Sequence, residues 1–150
     1  TAEAELALVI GRTCKNVDDA DVDDVIAGYV PVIDMTAEDI LQQNPRFLTR
    51  AKSFDSFLVF GSALVTTDEV DNLDDISVRT VVNGQIAAEN SIRNMMTTPR
   101  ELVAFHSEVM TLEPGDVIST GTPGAKRITP GDTVTAEVER VGTANSDVVG

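Results

Sequence analysis

Two long apolar segments dominate the first 35 residues. In the first, residues 2–10, apolar residues occupy both sets of alternating positions, and Gly11 follows. Successive side chains of a strand point to opposite sides, so this pattern predicts a strand that is buried on both faces. The second, residues 26–35, reads IAGYVPVIDM and predicts a short strand that leads into a helix.

The helix predicted after the second strand has residues suited to both of its ends. Thr36 is a residue type that caps helices, Asp39 stands three positions later, and Asn44-Pro45 is a pair that ends them. Residues 50–57 then read RAKSFDSF and alternate like a strand, which places Lys52 on one face. A lysine in this setting packs its aliphatic stem and leaves its ammonium group in water.

The second half of the chain has the turn residues of a mainly β protein. Residues 76–90 alternate around Asn83-Gly84, a pair that tolerates the positive φ angles of a type I′ hairpin. Pro-Gly-Asp turns at 114–116 and 130–132 precede two further strand-like runs. Residues 98–101, TPRE, predict a capping box that opens an amphipathic helix ending before Pro114. The apolar face of that helix is formed by Leu102, Phe105, Val109 and Leu112.

These elements predict the fold class α+β, mainly β, in one domain that spans residues 1–150. A chain of 150 residues with 42% hydrophobic composition can bury a sizeable core. No apolar stretch of about 18 residues occurs, so we expect no membrane-spanning segment. Cys14 is the only cysteine, which excludes an internal disulfide and favours a cytoplasmic location.

The charge of the chain limits its partners. Asp and Glu number 25 and Lys and Arg number 11, for a net charge of −14. Nucleic acids and anionic membrane surfaces would be repelled, so we expect neither as a partner. High salt screens the self-repulsion of such a surface, and the composition therefore predicts a salt-adapted, halophilic source. The run DDADVDD at 18–24 is interpreted as a solvated surface, because Asp24 and Val30 occupy positions where a calcium loop requires Gly and Glu.

Candidate chemistry begins with three carboxylates. Glu3 and Glu5 lie two apart and share one face of the first strand with Ala7 and Val9. A buried, unpaired carboxylate is costly, so the pair is either solvent-exposed, in contact with a cation, sharing a proton, or at an open strand end. Asp34 stands near the positive end of the predicted short helix, a position that suits an anion and equally suits an ordinary helix acid. Together they would form a hard oxygen site for Mg²⁺ or Mn²⁺.

The chain has few residues that could support other kinds of catalysis. The only histidine, His106, lies on the predicted amphipathic helix, where packing explains it better than zinc binding or base catalysis. No Ser-His-Asp or Cys-His arrangement is evident. Residues 121–126, GTPGAK, lack the spacing of a phosphate-binding loop and predict a tight turn. The hydroxyls of Ser119, Thr120 and Thr122 could donate hydrogen bonds to an oxyanion at a pocket rim.

Six segments, taken in order, resemble the fumarylacetoacetate hydrolase (FAH) family: EAELALVIGR, IAGYVPVIDMTAEDI, RAKSFDSFLVFG, VVNGQIAAENSIRNMM, PRELVAFHSEVMTLEPGDVISTGTPG and ITPGDTVTAEVERVG. The resemblance covers almost the whole chain, and the ordered set is specific although no single piece is decisive. It implies a catalytic domain built as a mixed β-sandwich or β-roll with two short helices. It also implies a homodimer that binds Mg²⁺, Mn²⁺ or Ca²⁺.

The resemblance implies roles for five residues. Glu3, Glu5 and Asp34 correspond to the family's carboxylate metal ligands. Lys52 corresponds to the active-site lysine, and Thr122 to the hydroxyl that contacts the substrate carboxylate. The implied reaction is hydrolysis or isomerisation of a small oxo-acid or β-diketo acid, of the acylpyruvate or hydroxy-diene-dioate type, through an enolate held by the metal. An oxaloacetate-type decarboxylase, or a truncated or degenerate member that binds metal and ligand without turnover, remains as the alternative.

The chain also departs from the family's common motif Asn-Asp-x-Ser/Thr-Ala-Arg-Asp-x-Gln. Ile33 replaces Asn, Glu38 replaces Arg and Leu41 replaces Gln. Glu cannot bind a carboxylate as Arg does, so we expect a substrate that differs from the best-known ones, with Gln42 or Arg46 as replacement contacts. The family's general-base histidine belongs to a segment N-terminal to EAEL that is not in the chain, and we expect the base upstream of residue 1.

Overall fold

Eight strands form two four-stranded sheets in a computed structural model that describes residues 1–150. The strands are β1 (Ala2–Ile10), β2 (Ile26–Met35), β3 (Leu58–Phe60), β4 (Ser77–Val82), β5 (Gln85–Ser91), β6 (Val117–Ser119), β7 (Thr133–Val138) and β8 (Gly142–Asp147). The first sheet has the order β3-β2-β1-β6 and the second has the order β5-β4-β7-β8. Every strand pairing is antiparallel, and the predicted class, α+β and mainly β, is confirmed.

Short helices connect the strands. The α-helices are α1 (Glu38–Gln43), α2 (Leu48–Lys52) and α3 (Pro99–Val109), one more than the resemblance implied. Short 3-10 helices occupy Asp19–Asp24, Pro45–Phe47, Thr67–Glu69, Leu73–Asp75 and Ile92–Asn94. None of the helices has the length and apolar character needed to cross a membrane.

β1 is buried on both faces, as its sequence pattern predicts. Leu6 and Leu8 are fully buried in a core cluster of 23 residues drawn from both sheets. On the opposite face Ala7 and Val32 are fully buried in a separate small cluster. Burying a leucine side chain contributes about 1.5–3 kcal/mol, so packing on both faces holds β1 firmly in one register.

The predicted hairpin and capping box are both present. Asn83 and Gly84 have φ angles of 51° and 74° and connect β4 to β5, as a type I′ turn requires. Thr98 Oγ1 accepts a hydrogen bond from the Glu101 N–H, and the Glu101 carboxylate accepts one from the Thr98 N–H at 2.7 Å. Pro99 occupies the first position of α3. These local signals act within four residues, which is why they can be identified without tertiary information.

The predicted length of α3 is wrong, and of the predicted apolar residues within the helix only Leu102 packs against the core. The helix ends at Val109, because Leu112 exchanges main-chain hydrogen bonds with Cys14 and is therefore extended. Its buried positions are Pro99, Val103 and Ser107, whereas Phe105 and Val109 are 56% and 64% exposed. The Ser107 hydroxyl is buried because it accepts a hydrogen bond from the Val17 N–H. A polar side chain with a main-chain partner thus takes the inward position that the sequence pattern assigned to apolar residues.

Two predictions around Lys52 are also wrong. Thr36 does not cap α1: Ala37 is the N-cap residue, and Thr36 instead continues the strand pairing through a main-chain hydrogen bond to Thr1. Residues 50–57 are not a strand, because α2 runs to Lys52 and the strand begins only at Leu58. The buried Ala51 fixes this helix, since its carbonyl accepts a hydrogen bond from the Ala37 N–H at 2.9 Å.

Candidate metal centre

Strand pairing brings three carboxylates together. Glu3 on β1 is directly opposite Asp34 on β2, and Glu5 lies two residues further along β1 on the same face. One carboxylate oxygen of each residue lies within 4.8 Å of those of the other two. Like charges directly opposite each other destabilise an antiparallel pair, so the packing of β1 and β2 holds an arrangement that electrostatics alone opposes.

Lys52 supplies a cation to two of the carboxylates. Its Nζ donates to Glu3 Oε2 at 2.9 Å and to Asp34 Oδ2 at 2.7 Å. The lysine side chain is 28% exposed, and those of Glu3 and Asp34 are 18% and 20% exposed. Burial lowers the pKa of Lys52, but its hydrogen bonds to Asp34 and Glu3 outweigh burial and raise that pKa above its usual 10.5. The ammonium group is therefore charged at neutral pH.

Glu5 is held by the edge of the sheet rather than by a cation. It is 5% exposed, and its Oε2 accepts hydrogen bonds from the Ser119 hydroxyl and from the Gly121 N–H, the latter at 2.9 Å. β6 pairs Ser119 with Ala7, which carries the chain past Glu5, and Gly121 has a φ angle of 103° that favours glycine. Burial raises the pKa of Glu5 above 4.5, against the effect of these two hydrogen bonds.

Ser119 and Gly121 are the residues whose roles the sequence did not reveal. The pattern of hydroxyls suggested an external oxyanion as the partner of Ser119, and nothing in it indicated a role for Gly121. Their function depends on how β6 aligns with β1, which is a tertiary contact between residues more than 100 positions apart. The nearest sequence signal is the run of hydroxyl and glycine residues after β6.

The donor set fits a hard divalent cation. Three carboxylates carry three negative charges, and Lys52 is the only cation paired with them. Glu3 Oε1, Glu5 Oε1 and Asp34 Oδ1 accept no hydrogen bond from any protein group. Each residue thus retains an oxygen free to coordinate, and carboxylate oxygens are the ligands that Mg²⁺, Mn²⁺ and Ca²⁺ prefer.

Thr122 and His106 lie outside this cluster. Thr122 is adjacent to Gly121, but its Oγ1 accepts a hydrogen bond from the Gly124 N–H at 3.1 Å and forms no hydrogen bond with the carboxylates. It lines a cavity of about 420 Å³ that none of the three carboxylates borders. His106 is half-buried and packs edge-on against Phe105, with ring centroids 5.3 Å apart. The structure therefore brings together four of the five predicted site residues.

Two antiparallel sheets with an acidic centre on the paired strands β1 and β2 define the class of protein. Residues 1–149 match the model of the fumarylacetoacetate (FAA) hydrolase C-terminal domain. The chain belongs to that family, as the ordered sequence segments predicted. It spans between 33% and 58% of the length of curated relatives that it matches.

Named relatives cover almost all of this chain. A maleylpyruvate hydrolase of Aquipseudomonas alcaligenes is 40% identical over 142 residues, which are 94% of this chain and 48% of that protein. The X-ray structure of a 5-carboxymethyl-2-hydroxymuconate delta-isomerase from Mycobacterium smegmatis is 42% identical, with a TM-score of 0.92 over 99% of this chain and 58% of that one. A maleylpyruvate hydrolase from Sphingobium sp. SYK-6, solved with manganese(II) and pyruvate, is 33% identical, with a TM-score of 0.89 over 99% of this chain and 53% of that one.

Proposed function

We propose that this chain forms the catalytic domain of a divalent-metal-dependent hydrolase or isomerase that acts on a small oxo-acid of the acylpyruvate type. The observation that carries the proposal is the cluster of Glu3, Glu5 and Asp34 with Lys52 bonded to two of its members. The names of the hydrolase and isomerase relatives support this substrate class. The manganese and pyruvate complex of one relative supports an oxo-acid beside a metal ion.

In this proposal Glu3, Glu5 and Asp34 hold the ion, with Mg²⁺ or Mn²⁺ as the candidates. A bound divalent ion supplies Lewis-acid charge that polarises the carbonyl of an oxo-acid. Hydrogen bonds from Ser119 and Gly121 fix the Glu5 carboxylate. Lys52 restrains the other two carboxylates, so the ligands are arranged before any ion or substrate arrives.

Lys52 is also proposed to stabilise the charge that develops on the substrate. When a carbon–carbon bond breaks or a proton leaves the carbon next to a carbonyl, negative charge accumulates on the carbonyl oxygen. A positioned ammonium group favours that charge, and removing one such donor typically costs about 10²–10³ in turnover. Thr122 is proposed to donate to the substrate carboxylate; its hydroxyl proton is free to do so because Oγ1 acts only as an acceptor toward Gly124.

Hydrolysis or isomerisation is placed ahead of the alternatives. A hydrolase and an isomerase are named among the relatives that cover most of the chain. No contact in the structure favours a decarboxylase over these two reactions, and none favours binding without turnover. The homodimer and the cytoplasmic location stay predictions from the resemblance and the composition.

The test combines binding with turnover. Calorimetric titration of pyruvate into the chain should give binding with Mn²⁺ present and none after chelation, and Glu5→Gln should abolish it. Turnover is then measured on a panel of acylpyruvates in the natural full-length protein. Lys52→Met should lower turnover by about 10²–10³ while Mn²⁺ affinity stays within a few-fold. Lys126→Met is the control, because Lys126 is exposed and forms no ion pair. Pyruvate binding that ignores Mn²⁺ would refute the proposal.

A further inference from the structure

A buried hydroxyl links the two sheets next to the carboxylate cluster. Thr80 on β4 is fully buried, and its Oγ1 accepts a hydrogen bond from the Ala4 N–H on β1 at 3.0 Å. Ala4 lies between Glu3 and Glu5, whose side chains point to the opposite face of β1 from its own. The Thr80 hydroxyl therefore holds β1 at the one residue that separates two of the three carboxylates.

The hydrogen bond lies at a gap in the pairing of β1. The N–H groups of alternate residues point to the same edge of a strand, so those of Ala2, Ala4 and Leu6 share one edge. Ala2 exchanges both main-chain hydrogen bonds with Lys126, and the Leu6 carbonyl accepts one from the main chain of Thr120. Between these two contacts the chain leaves the edge of β1 as a turn. A side-chain hydroxyl takes the place of a main-chain acceptor for the Ala4 N–H.

The same hydroxyl also contacts that turn. Thr80 Oγ1 donates to the Gly124 carbonyl over a long 3.4 Å, and the Gly124 N–H donates to Thr122 Oγ1 at 3.1 Å. A Cβ atom added to Gly124 would lie 3.1 Å from the Cβ of Ala88, the residue on β5 that is paired with Thr80. The turn that presents the Gly121 N–H to the cluster therefore rests on the second sheet at Thr80.

We propose that Thr80 is a positioning residue of the metal centre. Its hydroxyl fixes β1, which carries Glu3 and Glu5, relative to the turn that holds Glu5 through Gly121. Thr80 acts through the backbone, because both of its hydrogen bonds go to main-chain groups. Groups that orient metal ligands without binding the ion typically account for about 10–100-fold in metal affinity. The inference rests on the proposed function, since it concerns the same carboxylates.

Two variants isolate the hydroxyl. Thr80→Val keeps the β-branched shape and removes both hydrogen bonds, whereas Thr80→Ser keeps the hydroxyl and loses a methyl group. Calorimetric titration of the chelator-treated chain with Mn²⁺ should give about tenfold weaker binding in Thr80→Val than in the wild type. Thr80→Ser should bind Mn²⁺ within a few-fold of the wild type. In the metal-free protein the amide proton resonance of Gly121 should move upfield in Thr80→Val, because its hydrogen bond to Glu5 lengthens.

The matched control is Ser107→Ala. Ser107 on α3 is also fully buried, and its hydroxyl accepts a hydrogen bond from the Val17 N–H at 2.9 Å and forms none with the carboxylates. Loss of either buried hydroxyl leaves an N–H group without a partner, so Thr80→Val and Ser107→Ala should both melt below the wild type. Ser107→Ala should nevertheless keep the wild-type Mn²⁺ affinity and the wild-type resonance of Gly121.

Gly124→Ala disturbs the same contact from the turn, and it serves as the second variant if Thr80→Val does not fold, because Gly124 is only half-buried. It should weaken Mn²⁺ binding, and adding Ala88→Gly should restore binding by removing the close Cβ contact. Wild-type affinity in Thr80→Val or in Gly124→Ala, or an equal loss of affinity in Ser107→Ala, would overturn the inference while wild-type binding still supports the metal centre. Failure of the wild type to bind Mn²⁺ would refute the proposed function and the role of Thr80 with it.

Discussion

Adding Mn²⁺ to the metal-free protein should raise its melting temperature, and Glu5→Gln should remove most of that rise. An ion that binds only the folded state at one hundred times its Kd stabilises it by about 2.7 kcal/mol. For a domain of this size one kcal/mol corresponds to about 2–4 °C, so the expected rise is roughly 5–11 °C. Glu5 is the informative position because it is buried and is held by Ser119 and Gly121, not by Lys52.

The metal-free variant should melt at the wild-type temperature or above it. A glutamine oxygen can still accept the hydrogen bonds from Ser119 and Gly121, and no buried charge remains. Burial raises the pKa of Glu5, which means that folding favours the neutral carboxyl group. The contribution of Glu5 to stability is therefore full below about pH 4.5 and is lost as the carboxyl group ionises at higher pH. Glutamine does not ionise and avoids that loss. An unchanged or higher melting temperature without metal would therefore show that Glu5→Gln removes a metal ligand and leaves the protein folded.

The assay is scanning calorimetry of chelator-treated protein across a Mn²⁺ titration. Glu108→Gln is the matched control, since Glu108 is exposed and its side chain forms no hydrogen bond; it removes one charge from the same chain. The control should keep the full rise. An equal rise in Glu5→Gln and in the wild type would refute the metal centre. A metal-free Glu5→Gln variant that melts far below the wild type would refute the account of how Glu5 is held.

Three further predictions test the fold and the charge. Thr98→Ala should lower the free energy of unfolding by about 1 kcal/mol through loss of the α3 cap, as measured by urea unfolding. Thr97→Ala, at an exposed neighbour, should change that free energy little. Equal effects of the two substitutions would contradict the capping role of Thr98. Tyr29 is the only tyrosine and its burial raises its pKa above 10.0, so its absorbance at alkaline pH should titrate higher in the folded than in the urea-unfolded chain. Because the neutral phenol is favoured on folding, stability should be full below about pH 10 and fall above it; coincident titrations would contradict the burial. The net charge of −14 predicts that the melting temperature rises between about 0.1 M and 1 M KCl in the presence of chelator. The reason is that the screening length falls from about 10 Å to 3 Å over this range, which weakens repulsion between the acidic residues. A melting temperature that does not change with KCl concentration would contradict salt adaptation.

Much of the fold could be predicted from local patterns. The bounds of β1 and β2, the hairpin at Asn83-Gly84 and the cap at Thr98 all follow from residues within a few positions of one another. The period of two in a strand also places Glu3 and Glu5 on one face from their spacing alone. These features are local because the backbone geometry of a strand or turn is determined by the residues that form it.

Pairing in three dimensions decided the rest. Alternation at residues 50–57 indicated a strand, yet burial of Ala51 makes α2 and brings Lys52 to Glu3 and Asp34. The sequence alone could not show that Glu3 is opposite Asp34, because strand register is set by which apolar faces are buried and not by the charged residues themselves. The three carboxylates can thus be identified from the sequence. Their proximity, and their hydrogen bonds with Lys52, Ser119 and Gly121, result from packing between distant segments.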